Sequence, residues 1–137
     1  GTGFDEAKGI YWSPEENKAD LDYEILLKKA EIMINISLTT RLDKANTFAI
    51  YGEKGEISVP NYWKSNQASL IRNGEMIEEF SHPMPSEFSY EIDEIAELIN
   101  SGKKKSEKLS PEMTMTTVKI VEDLYQEWFG KDWPNIK

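Results

Sequence analysis

Cysteine is absent from the 137 residues, histidine occurs once, and no apolar run exceeds a few residues. Without cysteine there is no disulfide framework, no thiolate zinc site and no cysteine nucleophile, and the lack of disulfides fits a reducing cytoplasm, the expected compartment. The one histidine, His82, stands immediately before Pro83 in a loop. It reads as a solvated linker residue, so a nucleophile elsewhere has no imidazole base. A bilayer span needs about 20 apolar residues and a secretory leader needs a charged start followed by an apolar stretch. The chain has neither, and no membrane partner is expected. Positive charge is also scarce: 16 Lys and Arg against 25 Asp and Glu leave a net charge of −9. Nucleic acid and anionic membranes both need a positive field at the contact, so neither is an expected partner.

Apolar and aromatic residues are plentiful: 39% of the chain is hydrophobic, with four Trp, six Tyr and five Phe. Disordered acidic segments are poor in such residues. A chain near 150 residues buries roughly 68–70% of its unfolded surface, so residues 1–137 read as a single domain with its own core.

A period of two runs through the first 80 residues. Leu21, Tyr23, Ile25 and Leu27 alternate with Asp20, Asp22, Glu24, Leu26 and Lys28, which predicts a strand over Asp20–Lys29 with one buried face. Ile32, Ile34, Ile36 and Leu38 repeat the pattern, and the short Lys29-Ala30-Glu31 connection folds this strand back on the last. Thr47–Gly52 and Glu56–Val59 flank Glu53-Lys54-Gly55, where Gly55 can take a positive φ. Gln67–Arg72 and Glu75–Phe80 flank Asn73-Gly74, the dipeptide best suited to a two-residue type I′ turn. Gly9–Trp12 adds a short strand before Ser13-Pro14-Glu15.

After His82-Pro83-Met84-Pro85 the period becomes 3.6. Phe88, Ile92, Ile95, Ala96 and Ile99 form the apolar stripe of one helix, which Gly102 ends. A second helix has Ser110 as N-cap, Pro111 at its first position, Glu112 in its first turn and Gly130 past its end. Its stripe reads as Thr117, Val118, Val121, Leu124, Tyr125 and Trp128. Strands first and helices last predict an α+β domain: an antiparallel or mixed open sheet with helices packed on one face.

Sites with chemistry are few. Asp20-x-Asp22-x-Glu24 aligns three carboxylates but lacks the glycine and closing Glu of a calcium loop, so it reads as a wet strand face and no metal is expected. No glycine-rich stretch leads into a helix, so no dinucleotide is expected to bind by that motif. Lys103-Lys104-Lys105 reads as an exposed connector. Tyr62-Trp63, after Pro60-Asn61, either covers a sheet edge, the commoner outcome, or lines a pocket. Arg41 either binds an anion or pairs with Asp43. No residue of the chain is expected to be catalytic.

The order of several segments is informative. Ala49-Ile50-Tyr51-Gly52-Glu53-Lys54-Gly55-Glu56-Ile57 followed by Val59-Pro60-Asn61-Tyr62-Trp63 resembles the "a-I-y-G-t-k-G-x-I-x-i-P-n-f-W" stretch of the Gfo/Idh/MocA oxidoreductases, especially the dihydrodiol dehydrogenase-like members. Tyr90-Glu91-Ile92-Asp93-Glu94 is similar to their "Y-E-I-d-E" helix start, and Ser101-Gly102-Lys103 with Ser106 to their "x-G-k-x-E-S" connector. Thr2-Gly3-Phe4-Asp5-Glu6 resembles the "t-G-v-D-e" ahead of the strand pair, and Met113 to Pro134 the last helix and closing "y-P". The departures are Lys105 in place of the usual Glu, no glycine before Tyr90, and Lys29-Ala30 in place of an Asn-Gly turn.

This resemblance implies a partial enzyme. Such proteins carry an N-terminal Rossmann domain that binds NAD or NADP and bears a Glu-Lys-Pro motif with the catalytic lysine. A C-terminal α+β domain follows, whose open sheet shapes the substrate site and makes oligomer contacts. The chain matches only the later part of that second domain, and its opening Gly1-Thr2-Gly3 without Met fits a fragment of something longer. The expectation is therefore the substrate-binding and oligomerisation part of a glucose–fructose oxidoreductase-like fold, acting with NAD or NADP on a sugar, cyclitol or dihydrodiol alcohol and inactive alone. The partners implied are that small-molecule substrate and further copies of the chain through the sheet, with Trp63, Phe88 and Tyr90 as candidate substrate contacts and core packing the commoner fate of each. The alternative is a self-contained, non-catalytic binding or scaffold module that dimerises through its sheet face.

Overall fold

In a computed structural model the chain is described over residues 3–16, 18–83, 85–108 and 110–133. Gly1, Thr2, Met84 and Pro134 of the segments above lie outside the described residues. Among the described residues seven strands and two α-helices follow in order: β1 (Glu6–Trp12), β2 (Asp22–Lys29), β3 (Ile32–Thr39), β4 (Thr47–Gly52), β5 (Gly55–Pro60), β6 (Gln67–Arg72), β7 (Glu75–Ser81), α1 (Ser89–Ser101) and α2 (Pro111–Phe129). The class is α+β, with two open antiparallel sheets, β1-β2-β3 and β4-β5-β6-β7. Contacts divide the chain into two compact units, Gly1–Asp43 with Glu107–Lys137, and Lys44–Ser106.

In the first unit β2 is central. It pairs Gly9 with Ile25 on one side and Ile25 with Ile36 on the other, so Ala7, Gly9, Tyr23, Ile25, Leu27, Ile34 and Ile36 share one face. The alternation of Tyr23, Ile25 and Leu27 with Asp22, Glu24 and Lys28 is what turns that face inward. Ile25, Leu27, Ile120 and Leu124 form the buried core, with Phe4, Ala7, Tyr23, Ile34 and Trp128 packed around it. Helix α2 starts as its sequence dictates: the Ser110 hydroxyl accepts the Met113 N–H at 3.2 Å, and Pro111 needs no partner for its nitrogen. Its buried line is Ile120 and Leu124, continued by half-buried Thr116 and Trp128 at the same four-residue spacing. The expected stripe is corrected here, since Thr117, Val118 and Val121 are exposed. The helix is apolar over more than half its circumference, and hydropathy alone does not choose between adjacent lines.

In the second unit β4 and β5 pair from Thr47↔Pro60 to Gly52↔Gly55, and β6 meets β7 across Asn73-Gly74, with φ of 53° and 79° at those two turn residues. A register shift falls between Leu70 and Ile71. Gly55 has φ 150°, and a Cβ there would lie 2.5 Å from the Ile71 carbonyl oxygen, so only glycine lets β5 lie this close to β6. Pairing aligns Phe48 with Val59, Ile50 with Ile57, and Ile57 with Leu70 on one apolar face. Helix α1 ends as read, with Gly102 at φ 66° and the Lys103 N–H donating to the Leu98 carbonyl at 3.1 Å. Its expected stripe, however, is not a core stripe: Phe88, Ile92, Ile95, Ala96 and Ile99 are all exposed. The covered side carries Glu94 and Leu98, where the buried Ser106 hydroxyl donates to Glu94 Oε1 at 2.6 Å. No helix among the described residues is long and apolar enough to cross a membrane.

Candidate functional site

Each carboxylate of Asp20-x-Asp22-x-Glu24 has its own partner. Asp20 precedes β2, and its Oδ1 accepts the Tyr125 hydroxyl at 2.6 Å. Burial first, and the adjacent Asp20 carboxylate second, push the Tyr125 phenol well above the ordinary tyrosine range. Glu24 accepts from the Ser37 hydroxyl. Asp22 accepts from Arg41 Nε at 2.7 Å and from the Thr39 hydroxyl at 2.6 Å. The Arg41 guanidinium, then Thr39, hold the Asp22 carboxyl below the usual carboxylate range. Arg41 therefore pairs across the sheet with Asp22 and not with Asp43, and its guanidinium carbon stacks 3.8 Å from the ring centre of Trp12. Trp12 and Asp22 face each other in the β1–β2 register, which sets both beside Arg41. No group of three metal-ligating side chains occurs among the described residues.

Trp63, Phe88 and Tyr90 are surface residues, with 53%, 58% and 53% of their area exposed. Core packing is thus the fate of none of them. Trp63 lies in the 3-10 turn Tyr62–Lys64, entered through Asn61 at φ 47°, with Lys64 Nζ 4.3 Å above its ring. Phe88 and Tyr90 stand together at the start of α1, and Tyr90 stacks on His82 with centroids 6.2 Å apart. Among the described residues no ring contact joins Trp63 to Phe88 or Tyr90.

The second feature of this unit is its sheet face, whose openness was expected and whose hairpin-end depression was not. The apolar face of the four-stranded sheet is open, with Phe48, Ile50, Ile57 and Phe80 exposed by 49%, 51%, 42% and 53%. At its hairpin end lies a shallow depression of about 430 Å³, floored by Ile50, Ile57 and Leu70 and rimmed by Glu53, Lys54 and Arg72. Arg72 Nε donates to the Lys54 carbonyl at 3.0 Å and ties the β4–β5 turn to β6. The signal was the glycine of that turn, which permits the close approach, but the neighbour it approaches is not local in sequence. An apolar floor with two cations and one carboxylate at its rim can bind a ligand or a partner surface. It offers no nucleophile–base pair.

Nor does either helix start fit a dinucleotide. Helix α1 begins after Phe88 with no glycine, and the Ser110 hydroxyl before α2 already caps that helix. Comparison of the chain with known protein families and with curated proteins finds no match in either.

Proposed function

We propose that this chain is the C-terminal substrate-binding and assembly part of an NAD(P)-dependent oxidoreductase of the Gfo/Idh/MocA kind, acting on a sugar, cyclitol or dihydrodiol alcohol. The observation that carries the reading is the open apolar sheet face around Phe48, Ile50, Ile57 and Phe80. A face of this kind on a soluble chain usually marks an interface. The α+β class and the ordered segments Ala49–Ile57, Val59–Trp63 and Tyr90–Glu94 support the same reading.

Neither helix start among the described residues fits the nucleotide's phosphates, and in this reading hydride transfer and handling of the hydroxyl proton fall to a Rossmann domain outside the chain. Its own share is positioning. Trp63, Phe88 and Tyr90 hold exposed rings that can pack on the C–H face of a sugar or cyclitol ring. The sheet face forms the assembly surface and keeps water from the covered side. Titration calorimetry of the chain with NAD and with NADP is the test. No binding is expected, and micromolar binding of either nucleotide by this chain would refute the proposal.

A further inference from the structure

The four sheet edges are not alike. Edge strand β1 carries Glu6 and Lys8, and β7 carries Glu75, Glu78 and Glu79 beside a register shift. Charges and irregularities of this kind discourage further pairing. Edge strand β3, Ile-Met-Ile-Asn-Ile-Ser-Leu-Thr, has eight residues with no charge, no proline and an unbroken register to β2. The Thr40 N–H donates inward to the Leu21 carbonyl at 2.9 Å. Because backbone groups alternate along a strand, those of Leu38, Ile36, Ile34 and Ile32 also turn to β2, and those of Met33, Asn35, Ser37 and Thr39 lie on the open edge. Side chains add to this: Ile32, Ile36 and Leu38 are exposed on the face whose Ile25 and Leu27 pack against Ile120 and Leu124 of α2.

We propose that the outer edge of β3, the last strand of its sheet, is a self-association site, at which two copies of the chain pair β3 with β3 antiparallel about a two-fold axis at Asn35. This register sets Asn35 opposite itself, Ile34 opposite the second copy's Ile36, and Ile32 opposite its Leu38. All are pairs of like face, and the outward amides of Asn35 and of Met33 with Ser37 meet as hydrogen-bonded pairs. Two three-stranded sheets become one of six strands, whose new edges are the charged β1 strands, so the assembly closes at two. The argument uses only the first unit and is independent of any oxidoreductase activity, so its failure leaves the proposed function standing.

Asn35 lies on the face away from α2, opposite Leu26, where substitution leaves the core alone. The experiment is sedimentation velocity over a micromolar concentration series for the wild type, Asn35→Lys, Asn35→Glu and the equimolar mixture of the two variants. The wild type is expected to dimerise. Each variant alone places like charges in contact and should weaken the dimer by about tenfold or more, and mixing should restore it by pairing Lys with Glu. A monomeric wild type overturns the proposal. So do variants that dimerise as tightly as the wild type, as they would through the uncharged six-residue edge β4, and a mixture that is not restored. If either variant fails to fold, amide exchange of the wild type decides. Concentration-dependent protection of Met33, Asn35 and Ser37 supports the pairing, and fast exchange of those amides in the dimer overturns it.

Discussion

Trp128 lies where a side chain on Gly9 would begin. Its Nε1 donates to the Gly9 carbonyl at 3.2 Å, and a Cβ at residue 9 would sit 2.6 Å from its Cζ2. The indole is held from three sides, stacking on Tyr11 at 5.0 Å between centroids and meeting Tyr125 at 5.6 Å and Tyr23 at 6.4 Å. The missing side chain of one β1 residue thus sets how closely α2 lies on the three-stranded sheet.

Gly9→Ala should therefore destabilise the protein by about 1–3 kcal/mol through overpacking. That outweighs the roughly 0.4–1 kcal/mol that the change returns by restricting the unfolded chain. Chemical denaturation measures it. The same substitution in a Trp128→Phe background should cost less, because the smaller ring leaves room for the methyl group.

Adjacent positions on α2 should behave very differently. Ile120 belongs to the buried core and Val121 is exposed. Ile120→Ala is expected to cost about 2–5 kcal/mol and Val121→Ala to stay within about 0.5 kcal/mol. Equal losses in denaturant melts would show that the helix presents a different line of residues to the sheet.

The Asp22–Arg41 pair makes an acid-side prediction. The Asp22 carboxyl is depressed in the fold, so its contribution to stability is complete above the ordinary carboxylate range and disappears as pH falls through the folded-state value. Arg41→Gln should raise the Asp22 titration midpoint toward the ordinary value, read by carboxyl-carbon NMR. It should also flatten the fall of stability with acid. An unmoved midpoint would show that Arg41 does not hold this carboxylate.

Tyr125 supplies the alkaline counterpart. Its phenol is raised, so the stabilisation from burial and from the bond to Asp20 is complete below the unfolded-state value and is lost as pH climbs through the folded-state one. In an ultraviolet difference titration Tyr125 should ionise only above the ordinary tyrosine range. Tyr125→Phe should remove that high-pH step and destabilise by about 0.5–1.5 kcal/mol.

Local signals in the sequence proved reliable where local physics decides. Asn73-Gly74 forms its turn with both φ values positive, Ser110 caps α2, Gly102 ends α1, and β4 and β6 have the predicted bounds. What was not legible depends on partners far along the chain. Arg41 finds Asp22, 19 residues back, because the β2–β3 register brings its end of the sheet there, whereas Asp43 is nearer only in sequence. Ile120 is buried in place of Val121 because Gly9 and Ile25 fix the rotation of α2, and no periodicity within an apolar helix carries that information. The Arg72–Lys54 depression arises from two hairpins meeting, and the exposure of Trp63, Phe88 and Tyr90 depends on what packs over them.

The most direct test of the account is the coding sequence upstream of Gly1. The expected result is a strand leading through G-x-G-x-x-G into a helix, followed further on by Glu-Lys-Pro, which together would supply the nucleotide cradle and catalytic lysine of the proposed enzyme. An initiator codon immediately before Gly1 would contradict it, because no redox partner domain would then share the polypeptide.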